Sequence, residues 1–84
     1  MAQVDVKASG QLIKVFIDGT RVILTGDKGG RAIRSGEHAI SWNVRGAPGS
    51  SYAVQITAPS AATFKKEAKL DDSQMDAGLH FFKV

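Results

Sequence analysis

The chain of 84 residues is predicted to be all-β, and three features of its sequence carry that prediction. Apolar and polar residues alternate in several short runs, the period-2 pattern of strands with one buried face. An Asp-Gly pair sits between two apolar runs, a strong short-range hairpin signal because both turn positions tolerate positive φ. Gly, Pro, Asn, Asp and Ser separate the runs at the spacing of a sandwich or small barrel.

The first strand is marked by Val4, Val6 and Ala8 alternating with Gln3, Asp5 and Lys7, and Ser9-Gly10 offers a turn. Leu12 to Ile17 is rich in β-branched and aromatic residues, which suit a pleated, half-buried surface. Asp18-Gly19 then turns the chain, and Arg21 to Thr25 is expected to return. Gly26-Asp27-Lys28-Gly29-Gly30 is read as a loop whose glycines allow a tight turn. It lacks the Gly-Lys-Ser/Thr ending of a phosphate-binding loop.

Further on, His38, Ile40, Trp42 and Val44 should share one face, with Glu37, Ala39, Ser41, Asn43 and Arg45 on the other. Gly46 to Ser51 is a turn with Pro48 in it, and Tyr52, Val54 and Ile56 repeat the alternation until Pro59. Trp42 is in phase with Ile40 and Val44, and Tyr52 with Val54 and Ile56, so both rings are expected in the core. Residues 60–70 have helix-favouring Ala, Lys, Glu and Leu, yet Phe64, Ala68 and Leu70 also fit one face of a strand. Their β surroundings favour strand or irregular edge. Asp71 to Gly78 reads as a polar connection, and Leu79 to Val84 as the final strand.

About seven short strands result, in one domain over residues 1–84, arranged as an immunoglobulin-like antiparallel β-sandwich. Gly36-Glu37-His38-Ala39-Ile40 and Gly78-Leu79-His80-Phe81-Phe82 share a Gly-x-His-x-apolar pattern, read as a reused turn-into-strand device.

Composition narrows the function. Cysteine is absent, which excludes disulfides and thiolate chemistry. No Ser lies in a Gly-x-Ser-x-Gly elbow, so a non-enzyme is expected. His38 and His80 are too few and too far apart in sequence to signal a metal centre. Asp71 to Gly78 superficially suggests a calcium loop, but Lys83 stands where the bidentate Glu belongs. No cofactor is expected. The formal net charge of +3 is spread along the chain except for Lys65, Lys66 and Lys69, which argues against nucleic acid as the partner. No apolar run reaches the roughly 18 residues of a membrane span.

These exclusions leave an interaction or accessory module acting on a protein partner through a surface patch or an open sheet edge. The candidate patch is the pair of loops Asp27 to Arg34 and Arg45 to Ser51, expected at one end. There Arg31, Arg34 and Arg45 would make charge-assisted contacts. A carbohydrate-binding module would instead use Tyr52 and Trp42 with Asn43 and Gln55, and a hydrolase inhibitor would present Gly46 to Ser51.

Val15-Phe16-Ile17-Asp18-Gly19, followed after a loop by Ser35-Gly36-Glu37-His38-Ala39-Ile40, resembles the PEGA-type domain. In that family a strand ending in Asp-Gly is followed by a Gly-x-His strand start, on a small β-sandwich common in bacterial surface proteins. The closing Gly78 to Val84 looks like the last strand of many bacterial immunoglobulin-like modules. The resemblance implies a periplasmic, cell-surface or secreted setting, with a leader removed; without a leader, the setting would be cytoplasmic.

Overall fold

The computed structural model describes residues Met1–Val84 and contains eight strands. They are β1 (Ala2–Ser9), β2 (Leu12–Ile17), β3 (Thr20–Val22), β4 (Lys28–Ile33), β5 (Glu37–Arg45), β6 (Ser51–Ala58), β7 (Phe64–Lys69) and β8 (Met75–Lys83). A single 3-10 turn, Ser60–Ala62, follows β6 and packs against β8. Two antiparallel four-stranded sheets form a sandwich, one in the order β4-β1-β6-β7, the other β3-β2-β5-β8.

The alternation places the core. Val4, Val6 and Ala8 of β1 and Tyr52, Val54 and Ile56 of β6 are buried from one sheet. Val15 and Ile17 of β2 and Ile40, Trp42 and Val44 of β5 meet them from the other. The largest fully buried side chains are all Ile or Val. These residues serve the fold twice, since β-branching suits a strand and each burial contributes roughly 1.5–3 kcal/mol.

The Asp-Gly turn forms as expected. Ile17 pairs with Thr20 across a two-residue loop, with Asp18 at φ 51° and Gly19 at φ 79°. Two consecutive positive φ values define the type I′ geometry that matches strand twist. Residues 60–70 likewise form an edge strand after the short turn, with Phe64, Lys66 and Ala68 opposite the core residues Ile56, Val54 and Tyr52.

Two segments differ from the sequence reading. Lys28, Gly29 and Gly30 belong to β4 and pair with Lys7, Val6 and Asp5. The glycines are there for close approach: a Cβ on Gly29 would lie 2.5 Å from the Ile23 carbonyl oxygen. Glycine therefore marks a crowded strand here, a use that local pattern does not separate from a turn. The last strand also begins four residues early, at Met75, so Gly78 lies in mid-strand. It is not a bend. Gly78 faces Trp42 in register, and a Cβ there would enter the indole ring. Gly36, by contrast, is a true turn glycine at φ 126°.

Each sheet exposes two edges, and three are blunted. β3 has only three residues. β4 opens with a turn closed by a Thr25–Lys28 bridge, has Ile23 packed close against Gly29, and carries Lys28 and Arg31. β7 carries Lys65, Lys66 and Lys69, with Lys66 on the core-facing side, a charge that opposes burial of the edge. β8 has none of these devices along most of its nine residues.

Candidate functional site

Asp18, His38 and Arg34 form a clasp at the end of the sandwich where β2 turns. The Asp18 carboxylate accepts from His38 Nδ1 at 2.5 Å and from the Ala39 amide at 2.9 Å. His38 Nε2 meets the Arg34 carbonyl oxygen at 2.6 Å. A carboxylate and a carbonyl are both acceptors, so the ring satisfies both only as the imidazolium, donating from each nitrogen. The His38 pKa is accordingly raised above 6.5, first by Asp18 and then by the Arg34 carbonyl. Asp18 is lowered below 3.8, first by the same bond and then by the Ala39 amide. With both nitrogens donating, His38 has no lone pair for a general base or a metal ligand. The clasp ties the β2–β3 turn to the start of β5.

The structure separates the six candidate surface residues. Arg31 turns its Nη1 to the Ile17 carbonyl at 2.7 Å and is half-buried. Arg34 is exposed at the same end, where its carbonyl serves His38. Arg45 closes β5 at the opposite end, opposite Leu12 and Met75. Seven steps along β5 separate Arg45 from His38 of the clasp, a span of roughly 23 Å at about 3.3 Å per residue. The first of the two loops expected at one end is mostly β4 and runs the length of the sandwich, from Asp27 beside Ala8 at the Arg45 end to Arg34 at the clasp. The unforeseen strand β4 divides that segment, so only its Asp27 end shares an end with Arg45 to Ser51.

Asn43 is exposed on the outer face of the second sheet, between Lys14 and Ala77. Gln55 lies on the outer face of the first sheet, in a row Lys28–Lys7–Gln55–Lys65 across its four strands. Tyr52 is 3% exposed and Trp42 5%, between those faces. Asn43 and Gln55 consequently do not converge on either ring. The Tyr52 hydroxyl donates to the Asp76 carboxylate at 2.5 Å. Its pKa is raised first by desolvation and then by that bond, while the nearby indole of Trp42 opposes the shift. The indole N–H itself has no aligned acceptor.

His80 stacks on Phe64 with ring centroids 3.9 Å apart, and Phe64 in turn packs beside Trp42. The two histidines are thus engaged separately. Asp71 accepts from the Ser73 amide and hydroxyl, an ordinary turn in which its pKa is lowered by both bonds.

The surface that sequence reasoning missed is the outer side of β8. Leu79 is 57% exposed and Phe81 73%, with Met75 also out in solvent. Phe81 adjoins Ala39, and Leu79 adjoins Ser41, which adjoins Phe16. The available signal was the run Leu79-His80-Phe81-Phe82, apolar at both parities, which suits a strand covered on both faces.

The backbone of this strand is equally informative. Gly36 and Val84 exchange both hydrogen bonds, and Gly46 donates to Gln74. Bonded pairs alternate along an antiparallel ladder, so the even residues of β8 face β5 and the odd residues face outward. Two outward groups are occupied locally: the Ala77 amide by the Asp76 carboxylate and the Met75 carbonyl by the Ser73 hydroxyl. Leu79 and Phe81 have both their N–H and C=O free at the edge.

No helix is long and apolar enough to cross a membrane. In comparisons with known proteins, the chain matches no family model, no curated protein and no solved structure.

Proposed function

We propose that this domain is a non-catalytic protein-interaction module that accepts an extended strand on the open edge of β8. The supporting observation is the coincidence, at Leu79 and Phe81, of exposed apolar side chains with unpaired backbone groups. Main-chain bonding would supply affinity in such a complex, and alternate side chains selectivity. The Asp-Gly and Gly-x-His elements that carry the resemblance to PEGA-type domains serve, in this reading, as scaffold. Their residues build the Asp18–His38 clasp. A bacterial envelope or secreted setting belongs to the same proposal and rests on that resemblance.

Selection from a displayed library of random decapeptides against the immobilised domain tests it. The expected binders have alternating apolar residues, shift the amide resonances of Leu79 and Phe81, and lose affinity with Leu79→Lys. Failure to select any binder, or binders that all map to another surface, would overturn the reading.

A further inference from the structure

Edge β8 offers its free groups in a self-complementary order, and we infer that its strand partner is a second copy of this chain, paired antiparallel about a two-fold axis. This inference rests on the interaction reading above.

Free main-chain donors and acceptors at alternate residues call for an extended strand, since a helix satisfies its backbone internally. A two-fold perpendicular to the sheet keeps outer faces together, so only residues of equal parity can oppose one another. Three such registers centre on the free segment. One of them, Phe81 opposite Phe81, would set each exposed Leu79 side chain against Lys83 instead of an apolar partner. Leu79 opposite Leu79 would place Phe81 against Ala77 of the second copy, whose amide is already held by Asp76. Leu79 opposite Phe81 pairs the two residues whose groups are free with each other and leaves Ala77 at the margin, opposite Lys83. Each Leu79 then exchanges N–H···O=C bonds with Phe81 of the second copy, and the two-fold repeats the exchange. The same register lays the exposed Leu79 side chain on the exposed Phe81 ring, twice.

Charge selects this edge for two copies of a cationic chain. With a formal net charge of +3, like molecules repel. Self-pairing through β7 would bring together two strands that each set Lys65, Lys66 and Lys69 against the single acid Glu67. Through β4 it would join two that each carry Lys28 and Arg31 with no acid. Along β8, Asp76 offsets Lys83, and Glu37 is the cross-strand neighbour of Lys83. This edge brings no row of cations together. The product would be a continuous eight-stranded sheet with the order β3-β2-β5-β8 running into its own reverse. Edge pairing belongs to the small interface class, below about 1,200 Å², so dimerisation is weak and concentration-dependent.

Sedimentation equilibrium of the whole chain from roughly 10 µM to 1 mM, the range of weak association, reads the outcome directly. The expected average mass rises from 8.9 kDa towards twice that value. Leu79→Lys and Phe81→Lys should each weaken association at least about tenfold, the scale set by losing about 1.4 kcal/mol. Lys65→Glu should leave it unchanged. Both outward-facing variants should retain native Trp42 emission, showing that they fold; Leu79→Ser serves if either lysine variant does not. Leu79 and Phe81 amides should exchange more slowly at the high concentration. A monomer throughout, or a dimer indifferent to these substitutions, overturns the second copy as occupant. If such a monomer still binds displayed peptides at β8, the interaction reading survives alone; if peptides also fail, both fall.

Discussion

A histidine ring held between a carboxylate and a carbonyl makes the domain's stability depend on pH in a defined direction. His38 binds its proton more tightly in the fold than in the open chain, chiefly through Asp18 and secondarily through the Arg34 carbonyl. Arg31 and partial desolvation oppose the shift without reversing it. The stabilisation is therefore full below about pH 6.5 and lost as pH rises through the raised native value. Asp18 contributes above its ordinary 3.8, and that part is lost as pH falls through its lowered native value. Urea midpoints should be highest on the mildly acidic side and decline towards alkaline pH. Asp18→Asn keeps an oxygen for the Ala39 amide and a residue tolerant of positive φ, but removes the charge. The His38 titration followed by NMR should then fall towards 6.5 and the alkaline decline flatten; an unmoved titration would refute the clasp.

Gly78 supplies a second test at the same scale. Alanine is ordinarily no worse than glycine in a strand, yet here its methyl would occupy the space of the Trp42 ring. Steric exclusion outweighs the backbone preference, and Gly78→Ala should destabilise by about 1–3 kcal/mol in denaturant titrations. Trp42 emission should be blue-shifted and protected from quenchers in the parent, as its 5% exposure demands.

Strands differ in how far sequence alone reveals them. β1, β5 and β6 bury every second residue, so both their existence and their inward faces were legible. β4 was illegible because its Gly29 and Gly30 pattern carries no side-chain alternation; its evidence lies in partners on β1. β8 was legible as a strand but not in its exposure, since Phe82 faces the core while Leu79 and Phe81 do not. Hydrogen exchange tests the assignment of its two backbone sides. In dilute solution the His80 and Phe82 amides, bonded to β5, should exchange slowly, whereas those of Leu79 and Phe81 should exchange fast. Equal protection at all four would mean that β8 is covered within the monomer.

At the scale of the molecule, most stabilising contacts join distant parts of the chain. β1 pairs with β4 and β6, and β2 with β5 as well as with its hairpin partner β3. Loop closure must precede most of the core, so folding is expected in about milliseconds to seconds, slower than a helical bundle of similar size. Stopped-flow Trp42 fluorescence checks this, because the indole is buried only when β5, β7 and β8 have met. Folding within microseconds would contradict it. The molecule measures 40 × 23 × 21 Å. Its elongation keeps Arg31 and Arg34 far from Arg45, so the charged patch expected from loop composition is divided.

The order of residues determined what local physics can encode: the all-β class, the type I′ turn at Asp18-Gly19, and the inward course of Trp42 and Tyr52. Period-2 alternation and turn chemistry act over a few neighbours, so they can be read along the chain. Tertiary structure alone decided which loops share an end, that two glycines are strand residues, and that β8 is an edge with Leu79 and Phe81 unpaired. Those properties depend on which distant strand lies alongside, and a strand's own residues do not state its neighbour.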